Sequence, residues 1–95
     1  IGAETGLGPD HPDYAAMLYT FGRAEARQHR AESADAALRR AYEIGRGVLG
    51  DGHPVVLLRA RVFTHHLLAD RQPGEALDTA RAMLAGLRAR ARAGN

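Results

Sequence analysis

The chain has no cysteine, so neither a disulfide nor a thiolate metal site is open to it, and its fold must rest on packing alone. It also has no lysine: all 13 basic residues are arginine. Arginine and the abundant alanine share GC-rich codons, which points to a GC-rich bacterial genome. No apolar run approaches the roughly 20 residues that span a bilayer, and the opening Ile1-Gly2-Ala3-Glu4 has neither the basic nor the apolar region of a signal peptide. The expectation is a cytoplasmic chain without a membrane anchor. Ser33 is the only serine. It falls where a helix is expected to begin, so it reads as a cap before a nucleophile. No segment alternates polar and apolar residues for long enough to make a strand.

What is present is ordinary globular material. Hydrophobic residues make up 45% and charged residues 25% of the 95-residue chain, too apolar for disorder and enough for one small domain. The net charge of +2 is too small to imply a nucleic-acid partner. Arg88, Arg90 and Arg92 make one end locally basic, which reads as cations placed against a helix C-terminal dipole.

A repeat organises the rest. Leu7-Gly8-Pro9-Asp10-His11-Pro12 recurs as Leu49-Gly50-Asp51-Gly52-His53-Pro54, an offset of 42 residues. The same offset pairs Phe21 with Phe63, Ala34 with Ala76, Arg39 with Arg81 and Arg46 with Arg88. Within each unit the period is helical. Pro12 opens a first helix with Tyr14, Leu18, Phe21 and Glu25 on one face. A break near His29 to Glu32 leads to a second, whose inner face is Ala34, Ala37, Leu38, Ala41 and Ile44 or Gly45, with Gly45, Gly47 and Gly50 loosening its end. Pro54 opens a third, carrying Val56, Ala60, Phe63 and Leu67. After the turn Asp70 to Gly74, a fourth places Ala76, Leu77, Ala80, Met83, Leu84 and Leu87 in one stripe. The fold class expected is all-α, two tandem helix-turn-helix units with four main helices. Phe21, Ala34, Phe63 and Ala76 are expected to be buried where helices meet.

These residues resemble the tetratricopeptide repeat family, in the 42-residue form found in kinesin light chains and in bacterial regulatory and signalling proteins. The family turn Leu-Gly-x-x-His-Pro is matched at Leu7 to Pro12 and again at Leu49 to Pro54, and Arg30 to Ile44 looks like the family's second helix. The resemblance divides the chain into a stub at 1–6 from a preceding repeat, one repeat at 7–48 and another at 49–92. It departs from the family at Tyr19-Thr20-Phe21-Gly22 and Arg61-Val62-Phe63-Thr64, where paired asparagines usually clamp a peptide backbone. The usual glycine between the helices is His29 in one copy and Arg71 in the other.

The resemblance implies a non-catalytic scaffold that binds a protein or peptide on the concave face of its first helices. It places the contact set at Tyr19, Arg23, Arg27, Leu58, Arg61, Val62 and His65. Spacings of three and four residues put each group on one helix face independently. An arginine-rich, partly apolar surface suits an acidic or amphipathic segment, and ordinary solvation of those side chains explains the pattern equally well.

Other chemistry finds no footing. His11 and His53 recur at the repeat offset before proline and read as parts of the turn. His65 and His66 are adjacent, about 100° apart on a helix, and do not make a metal-binding pair. The glycines from Gly45 to Gly50 follow a helix and lack the Lys-Ser/Thr of a phosphate loop. No cofactor, metal or catalytic residue is expected. Two units are fewer than such arrays usually need, so the chain is either part of a longer protein or self-associating. The fourth helix carries Ala82, Ala85, Gly86 and Ala89 on a flank, which suggests a homodimer through that C-terminal helix.

Overall fold

In a computed structural model of the chain, residues 11–94 are described. Leu7 to Asp10 of the first turn and the stub at 1–6 lie outside them. Four helices form two hairpins: α1 (Pro12–Arg27), α2 (Ala31–Leu49), α3 (Pro54–Ala69) and α4 (Pro73–Ala93). No strand occurs among the described residues. The starts of α3 and α4 follow those of α1 and α2 by the same 42 residues that separate the sequence motifs.

The local reasons repeat as well. The Nδ1 atoms of His11 and His53 accept the backbone N–H of Asp13 and Val55 at 3.0 and 3.1 Å, so each histidine caps the helix that its proline opens. At the far end of α1, the Arg30 N–H reaches the Glu25 carbonyl at 2.9 Å and the His29 N–H reaches Ala26 at 3.1 Å. Gln72 to Leu67 at 2.8 Å and Arg71 to Leu68 at 3.2 Å reproduce the pattern after α3. Both are Schellman endings, which require a left-handed residue. His29 and Arg71 supply it at φ 60° and 59°. The glycine-like geometry is therefore kept without glycine.

Ser33 does not cap α2. The cap position is Arg30, with no side-chain bond to the helix, and Ser33 lies one turn's length inside, where its hydroxyl donates to Glu25 Oε1 at 2.7 Å. Gly45 and Gly47 do not loosen α2 either, which runs on to Leu49 and ends at Gly50 with φ 89°.

The extensive helix contacts run between consecutive elements, α1 with α2, α2 with α3, and α3 with α4. The core lies at the middle of this order: Leu38 and Tyr42 of α2, Val56, Ala60, Phe63 and Leu67 of α3, and Ala76 of α4. The expected inner faces of α2 and α3 are all buried.

The two outer helices differ from expectation. In α1 the buried residues are Ala15 and Gly22, and Phe21 is 52% exposed. Phe63, its counterpart, sits 6.0 Å ring to ring from Tyr42 of the preceding helix, whereas no described helix covers that side of α1. In α4, Ala76, Thr79 and Gly86 face inward. Leu77, Leu84 and Leu87 of the expected stripe are 51%, 49% and 44% exposed, because α3 covers one side of α4 and no other described helix covers the other. Gly86 leaves the outer flank entirely. A β-carbon there would lie 2.8 Å from the Asp51 carbonyl carbon.

Candidate functional site

The second halves of α1 and α3 enclose an open groove of about 420 Å³. Its walls are Arg23, Ala26 and Arg27 from α1 and Val62, His65, His66 and Ala69 from α3, and Leu38 of α2 forms part of the floor. The groove exists because the first helices of the two units are not in extensive contact: α2 lies between them in the packing order. Its position follows from helix period. Residues 23, 26 and 27 share one face of α1, and 62, 65, 66 and 69 share one face of α3.

Four of the residues that the sequence pattern put forward, Arg23, Arg27, Val62 and His65, come together here. Tyr19 does not line the groove but packs against the core, with the Arg23 guanidinium 5.5 Å from its ring centroid and that of Arg59 6.0 Å away. Tyr19 is half-buried, and its ring supports the Arg23 side chain at the edge of the groove. Leu58 and Arg61 are exposed on α3 and lie outside the lining. Ala26, Leu38, His66 and Ala69 complete the groove. Of these, Ala26 and Ala69 could have been found from the i, i+3 and i+4 neighbours of Arg23 and His65, but Leu38 belongs to the other helix type and gives no such signal.

The electrostatics have one sign. Two guanidiniums and two imidazoles line the groove and no carboxylate does. Arg23 and Arg27 are exposed, so their charges are presented to solvent. The His66 Nε2 atom is buried without a hydrogen-bond partner, a polar group left unsatisfied by the protein. Beneath this region Arg59 is only 7% exposed and donates to the Ala41 carbonyl at 3.3 Å; burial pushes its pKa below the ordinary arginine value.

On the opposite side, carboxylates are used up internally. Arg39 donates to Glu75 at 3.0 Å and to Asp35 at 3.3 Å while lying 5.4 Å from the Phe63 ring centroid. Arg46 donates to Asp51 at 2.8 Å, which holds the Asp51 carboxyl below its usual range.

Among the described residues there is no group of three or more His, Cys, Asp or Glu side chains placed to hold a metal ion, and no helix is long and apolar enough to cross a membrane. What the groove can do chemically is bind: apolar contact along Leu38, Val62 and the alanines, with charge-assisted hydrogen bonds from the rim. No protein-family model, curated protein or solved structure matches the chain.

Proposed function

We propose that this chain is a non-catalytic scaffold of the tetratricopeptide type, part of a bacterial regulatory or signalling protein, and that it holds an acidic or amphipathic protein segment in the groove between α1 and α3. The observation that supports this reading is the lining itself: Arg23, Arg27, His65 and His66 around Leu38 and Val62, with no carboxylate among them. An apolar floor supplies area, and the arginines supply direction, since a guanidinium binds a carboxylate in a two-point geometry that ammonium groups lack. The asparagine clamp of the resembled family is absent, so recognition rests on side-chain charge and apolar contact instead of the ligand backbone.

Anisotropy of a fluorescent ten-residue peptide of alternating Glu and Leu, with a Lys and Leu counterpart as control, tests the proposal. The Glu peptide binds, the Lys peptide does not, and affinity falls as salt rises. Arg23→Glu with Arg27→Glu abolishes binding, while Arg61→Glu, outside the lining, changes it little. Equal binding of both peptides, or an unaffected double variant, would sink the groove as the site.

A further inference from the structure

The junction between α2 and α3 is a template for a second junction that the described residues do not make among themselves. Across it, Tyr42 meets Phe63, Gly45 admits Arg59 and Val56, and Arg39 lies over the Phe63 ring. A β-carbon at Gly45 would be 3.2 Å from Arg59 Nη1 and 3.3 Å from Val56 Cγ2, so small against large is the rule of contact there. The 42-residue offset carries the α2 side onto the outer face of α4: Tyr42 onto Leu84, Gly45 onto Leu87 and Arg39 onto Arg81. It carries the α3 side back onto the outer face of α1, where Phe63 becomes Phe21 and Arg59 becomes Met17.

These transferred positions are apolar and open. Leu84, Leu87, Phe21 and Met17 are 49%, 44%, 52% and 70% exposed, although their counterparts Tyr42, Phe63 and Arg59 are buried at 6%, 1% and 7%. Where the internal junction joins a glycine to an arginine, the outer faces offer a leucine and a methionine, trading one long side chain for two of middle length.

Charge follows the same offset. Arg39 of α2 also pairs with Glu75 in the first turn of α4, so the ion pair joins the two hairpins beside the α2 to α3 junction. The offset places Arg81 against Ser33, and the Glu25 carboxylate is held on that hydroxyl at 2.7 Å. In a copy docked by the same offset, Arg81 would face Ser33 and, behind its hydroxyl, the Glu25 carboxylate that Arg30 also holds.

We propose that a second copy of this chain docks head to tail, the outer face of α4 from one copy on the outer face of α1 from the next, reproducing the α2 to α3 junction between molecules. Such a contact uses two different patches, so it extends into open chains of copies instead of closing as a two-fold dimer. The groove residues Arg23 and Arg27 are not part of it, and the association is independent of ligand capture.

Sedimentation velocity of the 95-residue chain from micromolar to hundreds of micromolar tests this. The parent forms dimers and then longer species as concentration rises. Phe21→Glu, which spoils only the α1 face, and Leu84→Glu, which spoils only the α4 face, are each monomeric, with association weakened at least about tenfold by the buried charge. Mixed one to one, they form a heterodimer that grows no further, because each supplies the patch the other lost. Met17→Glu and Leu87→Glu repeat the experiment with independent substitutions, and circular dichroism checks that helix content is kept. A parent that stays monomeric overturns the proposal and leaves these faces to a different occupant. Phe21→Glu associating as well as the parent overturns it in favour of a two-fold pairing through α4, and a mixture that fails to pair overturns it outright.

Discussion

A β-carbon at Gly22 would lie 2.8 Å from Leu38 Cγ and 3.2 Å from Ala37 Cβ, whereas one at Gly47 would meet nothing within 4 Å. Both residues are inside helices, so intrinsic propensity favours alanine over glycine equally at each. Packing decides the sign. Gly22→Ala should destabilise by about 1–3 kcal/mol through overpacking, and Gly47→Ala should stabilise by about 1 kcal/mol, both read from urea unfolding midpoints. His29 and Arg71 give a second contrast. Each holds a left-handed conformation that costs a non-glycine residue about 1–2 kcal/mol, partly offset because glycine is freer in the unfolded chain by about 0.4–1 kcal/mol. His29→Gly and Arg71→Gly should each raise stability by a net amount of about 0.5–1 kcal/mol. Unchanged midpoints in both would show that the turns carry no strain. Ala34 and Ala76 were legible in the sequence as buried small residues. Gly22 was not, because a glycine within a helical pattern says nothing of what approaches it.

Between elements, the link joining the end of α1 to the start of α2 is made by three side chains: Ser33 donates to Glu25 at 2.7 Å and Arg30 donates to it at 3.1 Å. The Ser33 hydrogen bond is the main cause that holds the Glu25 carboxyl below its ordinary range; loss of solvation opposes it, and Arg30 adds a further lowering. The folded pKa is lowered, so the contribution to stability is complete above the unfolded value of about 4 and is lost as pH falls through the folded one. Ser33→Ala should move the Glu25 titration upward, followed by carboxyl carbon NMR, and the acid limb of the stability curve should shift with it. A Glu25 titration that does not move would mean that Arg30 alone sets it. The inner faces of α2 and α3 could be read from periodicity because each of these helices has neighbours on two sides, and a broad apolar stripe is then unambiguous. The faces of α1 and α4 could not. Each packs extensively on one described helix, its apolar residues exceed what that neighbour can cover, and the choice between Phe21 and Gly22, or Leu87 and Gly86, falls to what approaches: the Leu38 side chain at Gly22 and the Asp51 backbone at Gly86.

For the molecule as a whole, the two-hairpin plan and half of the groove were present in the sequence, since both follow from a 42-residue offset and a helical period. Of the rest, Ala26 and Ala69 follow from helix spacing, whereas Leu38 depends on where α2 sits relative to the two helices it separates, which is a property of packing. The same arrangement grades local stability. Helices α2 and α3 hold most of the buried core, and α1 and α4 flank it. Amide hydrogen exchange should therefore be slowest in α2 and α3, with α1 and α4 opening at lower cost. Uniform protection over all four helices would contradict a graded stack.

The order of contacts, each helix against the next one in the chain, also sets a timetable. Among the described residues the extensive contacts join only consecutive helices, so loop closure is short at every step and folding in microseconds to milliseconds is expected. Synthesis is slower: at about 5–20 residues per second, one 42-residue unit takes seconds to appear. The first hairpin thus has time to close and reopen many times while the second is still being made, with Tyr42 waiting for its ring partner on α3. The arrival of Phe63 is the event that ends this wait, so the core shared by α2 and α3 is expected to close only after the second hairpin has begun to emerge.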